Sequence, residues 1–324
     1  MCDNATPRES LLGTEMIKNE SFTVHNTFKT IIPLYDAFIL DQFGVMHNGK
    51  NALPGATEAV DTIYSHDKKL IILSNSSAGS KDTIENLPKL GFKQDMFEGA
   101  ITSGEEASKY ILENYQGKRA LWFTWDKNTT PSPLSFLQKC GSIKLAVSED
   151  DADFIIAHGT KNIWYNGGSL TSMEQLFACK DFNSVDGILK KCADKNLPMV
   201  CANPDFTVIR PDGSRSFMPG VVARRYEEFG GKCSYFGKPY VSHFEACLKI
   251  LSLDKSRVAH VGDSLQHDIA GANAAGIDSI FIVGGIHRKD VGVGLGRIPK
   301  EEKLQKLFDS TGEQPTHVVP LLRY

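Results

Sequence analysis

The sequence predicts an α/β protein: a parallel sheet covered by helices on both faces, with a second α/β domain inserted into it. Three observations predict it. Short, continuously apolar runs alternate with longer amphipathic stretches, the pattern of strands buried on both faces between covering helices. Those runs fall into two groups, separated by a middle region with strands and helices of its own. Polar residues recur at the C-terminal ends of the runs, where an open parallel sheet forms its ligand crevice.

Ala37–Leu40 reads as a buried strand ending at Asp41, and Leu70–Leu73 as a second ending at Ser74-Asn75. Lys81–Leu90 reads as a helix broken at Gly91, followed by a short strand over Gly99–Thr102 and a helix over Glu105–Asn114. Toward the C-terminus, Val258–Val261 is a strand running into Gly262-Asp263. Gln266–Ala275 is a helix closed by Gly276, a residue suited to a helix stop. Ser279–Val283 and His317–Val319 complete the core strands. In the middle, Arg119–Thr124, Phe154–Ala157 and Met199–Ala202 are strands, with helices near Pro133–Cys140 and Val185–Asp194. The inserted domain is placed at 117–230 and the core at 26–116 and 231–324. Trp122, Trp125, Trp164 and Tyr165 fall in the insertion and are expected to pack its core.

The chain of 324 residues is long enough for two domains, and 41% hydrophobic with 23% charged residues is the balance of an ordinary globular protein. A net charge of −3 and a pI near 6.3 give no electrostatic reason to expect nucleic acid. Lys118-Arg119 and Arg224-Arg225 are short pairs expected on a solvated face. The seven cysteines, Cys2, Cys140, Cys179, Cys192, Cys201, Cys233 and Cys247, are odd in number and contain no CxxC pair, so a reducing, cytoplasmic location is expected. The first 25 residues are polar and do not read as a signal peptide. No apolar run approaches the roughly 20 residues needed to span a bilayer, so no membrane is expected as a partner.

The strand-end residues have a coherent chemical meaning. A carboxylate attacks phosphorus to form an acyl phosphate. Because a phosphate substrate is itself anionic, an oxygen-bound magnesium ion is expected to screen the approach. A lysine and hydroxyl or amide donors bind the remaining phosphoryl oxygens. Asp41 is the candidate nucleophile, Asp263 a metal ligand, Lys238 the cation, and Ser74, Asn75 and neighbouring Ser76 the phosphate donors. Asp268, one turn into its helix, is placed behind the metal or Lys238, and Ser264 beside it. Gly284-Gly285 lacks the GxGxxG spacing of a nucleotide loop and reads as a turn, and Gly292–Gly296 as a loop.

Four segments, Asp41-Gln42-Phe43-Gly44-Val45, Ile72-Leu73-Ser74-Asn75, Gly237-Lys238-Pro239 and Gly262-Asp263-Ser264-Leu265-Gln266-His267-Asp268, resemble in order the four motifs of the haloacid dehalogenase superfamily. They look most like its capped 4-nitrophenylphosphatase and sugar-phosphatase branch. There an α/β cap sits between the second and third motifs, and Ala202-Asn203-Pro204-Asp205 is similar to a cap loop that faces the substrate. The resemblance implies a Rossmann-like core and phosphate monoester hydrolysis with Mg2+ through an aspartyl-phosphate. It implies metal ligands at Asp41, the backbone carbonyl of Phe43, and Asp263, with Asn203 and Asp205 toward the substrate. A small phosphorylated metabolite is the expected partner, and a homodimer is possible by resemblance alone.

Phe43 stands where phosphatases of the family usually carry a second aspartate that moves the proton to and from the substrate. Three outcomes stay open: slow hydrolysis favouring good leaving groups, another acid such as His47, or a protein that binds a phosphorylated ligand without turnover. Loss of a general acid removes about 10²–10⁴-fold in rate.

Overall fold

The computed structural model describes residues 22–324. Cys2 and most of the polar N-terminal stretch lie outside the described residues. The core is a seven-stranded sheet in the order Thr23–Val24, His317–Val319, Asp278–Ile282, Val258–Gly262, Ala37–Leu40, Lys69–Ser74, Ala100–Thr102. Every pairing in it is parallel. Alternation along Ala37–Leu40 explains its two covered faces. Phe38 and Leu40 enter one apolar cluster with Val60, Ile63 and Ile72, while Ala37 and Ile39 enter another with Phe244, Cys247 and Leu251.

A second sheet runs Lys232–Tyr235, Pro198–Cys201, Phe154–Ala157, Arg119–Thr124, Asn162–Trp164, Leu170–Ser172, with Lys144–Leu145 also paired to Arg119–Thr124. The strands Asn162–Trp164 and Leu170–Ser172 are antiparallel additions to an otherwise parallel sheet. A two-stranded hairpin, Thr207–Ile209 with Arg215–Phe217, projects separately. Trp122 is fully buried and meets Trp164 edge-on at 5.4 Å.

Two elements fall on the other side of the expected domain borders. The helix Ser103–Asn114 buries Ala107 and Ile111 against Trp122, Phe154 and Ile156 of the second sheet. The strand Lys232–Tyr235 pairs with Pro198–Cys201. An amphipathic helix shows from its sequence that one face is buried, not which sheet buries it. The borders at 116/117 and 230/231 therefore move outward, and we place them near Ser103 and Phe236.

Two helices also differ from expectation. Lys81–Leu90 is an α-helix over Ser80–Asn86 that tightens into a 3₁₀ turn over Leu87–Leu90, where Pro88 has no N–H to continue the α ladder. Gln266–Ala275 opens as a π-helical turn, Leu265–Ile269, before becoming α-helical over Ala270–Ala275. That turn lets Asp268 fold back on the strand end. The close approach requires a glycine at 262, since a Cβ there would stand 2.1 Å from the Asp268 side chain.

Candidate active site

The adjacent strands Val258–Gly262, Ala37–Leu40 and Lys69–Ser74 deliver Asp263, Asp41 and Ser74 to one edge of the core sheet. Lys238 arrives from the loop before the helix Val241–Leu251. All four side chains are buried. Lys238 Nζ donates to Asp41 Oδ1 at 2.5 Å and to Asp268 Oδ1 at 2.7 Å.

Asp268 is saturated. Its Oδ1 also takes His260 Nε2 at 2.7 Å, and its Oδ2 accepts from the N–H groups of Asp263 and Ser264 at 3.2 and 3.0 Å. Burial alone would raise its carboxyl, but Lys238 and His260 hold it well below the usual carboxylate range. Burial pushes the His260 imidazole down, against the pull of Asp268, so it is neutral and donates through Nε2. Burial opposes the charge on Lys238, and Asp268 and Asp41 outweigh it, so the ammonium stays protonated.

Asp41 and Asp263 behave differently. Burial pushes Asp41 up to about 7 despite Lys238. Burial, with the charges of Asp41 and Asp268, raises Asp263 well above its ordinary value. Ile286 N–H reaches Asp263 Oδ2 at 2.8 Å, and among the described residues no donor engages Asp263 Oδ1 or Asp41 Oδ2. Two buried carboxylates that resist ionising and keep oxygens free form an oxygen-rich site suited to a hard cation. The chain packs tightly here: Gly44 adopts φ +82°, and a Cβ on it would lie 1.9 Å from Asp263 Oδ2. Asp41, Asp263 and Asp268 can each bring an oxygen within 4.8 Å of the others. Four donors occupy Asp268, which leaves the unengaged carboxylate oxygens on Asp41 and Asp263; the Phe43 carbonyl also accepts no hydrogen bond among the described residues.

The phosphate-donor candidates separate in role. Ser74 Oγ accepts from Ser76 N–H at 3.2 Å and keeps its own hydrogen available. Asn75 is fully occupied. Its Nδ2 donates to Asp205 Oδ1 at 2.8 Å and to the Lys238 carbonyl at 3.2 Å, and its Oδ1 accepts from Lys238 N–H at 2.6 Å. Asn75 thus clamps the lysine loop and joins core to insertion. Ser76 Oγ accepts from Ala78 N–H, and its carbonyl takes Ser103 Oγ at 3.1 Å. Asn203 shapes its own loop, with Oδ1 accepting from Asp205 N–H at 3.0 Å. Ser264 Oγ lies 3.1 Å from His267 Nδ1.

The Phe43 side chain is 41% exposed and meets His47 edge-on at 4.8 Å. His47 is a poor substitute acid. Its Nδ1 accepts from Gly49 N–H at 3.1 Å, and burial lowers the imidazole to about 4, so at neutral pH it is not the imidazolium that a general acid requires.

A cavity of about 600 Å³ opens over these residues. The inserted domain contributes Trp125, Phe177, Asn203, Asp205, Phe206 and Met218 to its wall. Trp125 Nε1 donates to Ser77 Oγ at 3.0 Å, tying this wall to the loop after Ser74. Reading the sequence missed His260 and His267. His260 sits inside an apolar strand and looks like an interruption of it, and His267 lies within a motif whose acids drew the attention. Among the described residues no helix is long and apolar enough to cross a membrane.

The profile described as haloacid dehalogenase-like hydrolase matches residues 38–131, and a second of the same description matches 179–276. A related hydrolase profile matches 235–323. The chain is 25% identical over 289 residues to a 4-nitrophenylphosphatase of Schizosaccharomyces pombe, covering 81% of this chain and 88% of that protein. It is 22% identical over 257 residues to an acid sugar phosphatase of Staphylococcus haemolyticus, covering 78% and 86%. The crystal structure of a haloacid dehalogenase-like family hydrolase from Brucella suis superposes with a TM-score of 0.70 at 23% identity, covering 91% and 98%. With the order of the four motifs, the parallel core and the profiles at both ends in agreement, the chain belongs to the haloacid dehalogenase-like hydrolases.

Proposed function

We propose that the protein hydrolyses small phosphate monoesters through an aspartyl-phosphate on Asp41. The observation that carries this is the buried Lys238–Asp41 contact at the cavity wall, which engages one carboxylate oxygen and leaves the other without a donor among the described residues. The names of the 4-nitrophenylphosphatase and acid sugar phosphatase relatives support the substrate class.

Asp41 Oδ2 attacks phosphorus while Lys238 holds Oδ1 and places positive charge beside the transferring group. Ser74 donates its hydroxyl hydrogen to a phosphoryl oxygen. Asp268 acts through Lys238, fixing the ammonium between two carboxylates. Asp41, Asp263 and the Phe43 carbonyl would hold a divalent ion, expected to be Mg2+, which supplies positive charge against the phosphoryl oxygens. The insertion covers the crevice and limits access to small substrates. The free cysteines among the described residues support a cytoplasmic enzyme.

The Phe43 side chain moves no proton. Without another donor, turnover of substrates with poor leaving groups falls by about 10²–10⁴-fold. The same residue supports a second reading, a phosphate-ligand-binding protein without turnover. Phosphate release from a panel of sugar phosphates, nucleotides, pyridoxal phosphate and 4-nitrophenyl phosphate with Mg2+ separates the two. Release that disappears in Asp41→Asn supports hydrolysis. Binding without Asp41-dependent release from any of them supports the second reading.

A further inference from the structure

We propose that His267 is the general acid of this site, positioned by Asp205 of the inserted domain. The proposal rests on Asp41 being the nucleophile.

Three imidazoles line the cavity: His47, His158 and His267. His47 has Nδ1 occupied by Gly49 N–H. His158 is fully buried, with Nδ1 3.0 Å from Thr124 Oγ1 and a second bond to the Ser77 backbone. Burial lowers these two imidazoles to about 4 and about 3, so at neutral pH neither is the imidazolium that a general acid requires. His267 is arranged otherwise. Its Nδ1 lies 3.4 Å from Asp205 Oδ1 and 3.1 Å from Ser264 Oγ, while Nε2 has no partner among the described residues.

A ring held at Nδ1 by a hydroxyl, with a carboxylate 3.4 Å away, and with Nε2 left without a partner is an arrangement suited to a proton-transferring histidine. The Ser264 hydroxyl and the Asp205 carboxylate beside Nδ1 fix the orientation of the ring. Asp205 is itself held by Asn75 Nδ2 at 2.8 Å, and Asn75 Oδ1 accepts from Lys238 N–H at 2.6 Å. The histidine's partner is thereby tied to the residue that orients Asp41. Because Asp205 comes from the insertion and His267 from the core, the pair exists only while the insertion covers the crevice.

In the first step an Asp41 oxygen bonds phosphorus and the bond from phosphorus to the leaving oxygen breaks. The electron pair goes to that oxygen and the Nε2 proton follows it, so an alcohol departs and His267 is left neutral. In the second step water attacks phosphorus, Asp41 departs as a carboxylate, and Nε2 takes the water proton. Phosphate is released and the imidazolium is restored.

The test compares an alkyl phosphate, benzyl phosphate, with 4-nitrophenyl phosphate, whose leaving group departs as a stable anion without a proton. In the full chain with Mg2+, His267→Asn should cut kcat/KM, which reports only the step up to leaving-group departure, by about 10²–10⁴-fold on benzyl phosphate and change kcat/KM on 4-nitrophenyl phosphate little. Asp205→Asn should give the same selective loss to a smaller extent. A merely structural role would lower both substrates together, so equal losses overturn the proposal, as does no loss on either. If His267→Asn does not fold, as judged by its melting transition, His267→Gln serves with the same criteria. Wild-type protein that releases phosphate from neither substrate in an Asp41-dependent way would instead sink the hydrolase reading itself.

Discussion

Lys238 Nζ lies 2.7 Å from Asp268 Oδ1, with both side chains at most 3% exposed. The carboxylate needs this contact, because its other donors, His260 and two backbone N–H groups, are neutral. Replacing Lys238 with Met leaves Asp268 and Asp41 buried without a counter-charge. We expect a loss of about 3–5 kcal/mol in urea unfolding at neutral pH. A double variant, Lys238→Met with Asp268→Asn, should recover part of that loss, which a double-mutant cycle measures.

Binding of Mg2+ should stabilise the protein in a pH-dependent way. Burial holds the Asp41 carboxyl up to about 7 and Asp263 well above its ordinary value, so below that range an ion must displace protons. The rise in Tm caused by Mg2+ should be large at pH 8 and small at pH 5. Asp263→Asn should abolish most of the rise at pH 8. An equal rise at both pH values would contradict the carboxylate site.

Gly44→Ala should weaken the same response. The residue sits at φ +82°, where a Cβ costs about 1–2 kcal/mol, and that Cβ would also collide with Asp263 Oδ2. Thermal melts with and without Mg2+ should show a lower Tm and a smaller ion-dependent shift.

His47 should make the protein acid-sensitive. Burial lowers the imidazole from 6.5 to about 4, so between those pH values the unfolded chain binds a proton that the native state refuses. The folded value is depressed, so this contribution is present above pH 6.5 and is lost as the pH falls toward 4. Its size is about 3 kcal/mol. The stability difference between wild type and His47→Gln should therefore change by about that amount between pH 7 and pH 4 in denaturant titrations.

The parts legible in the sequence were those written in local pattern. Ala37–Leu40 and Val258–Gly262 are apolar runs ended by an acid, and the end of a parallel strand is where a side chain reaches the crevice. Pairing across sequence distance was not legible. The helix Ser103–Asn114 has an apolar face that fits either sheet, and its true neighbours, Trp122 and Phe154, come later in the chain. The hairpin Thr207–Ile209 with Arg215–Phe217 had a local signal in Pro211-Asp212-Gly213, a turn sequence between short β-forming runs. Asn75 carried a signal for the crevice but none for its partners Lys238 and Asp205, which tertiary contact alone supplies. Nor does His267 announce itself, since its meaning depends on Asp205 arriving from another domain.

The central claim is that Asp41 carries the phosphoryl group. Turnover of 4-nitrophenyl phosphate with Mg2+, stopped in acid and reduced with borohydride, converts an aspartyl-phosphate into homoserine that peptide mass mapping locates. We expect homoserine at position 41 and none in a sample without substrate. Phosphate release accompanied by reduction at another carboxylate, or at none, would contradict the account.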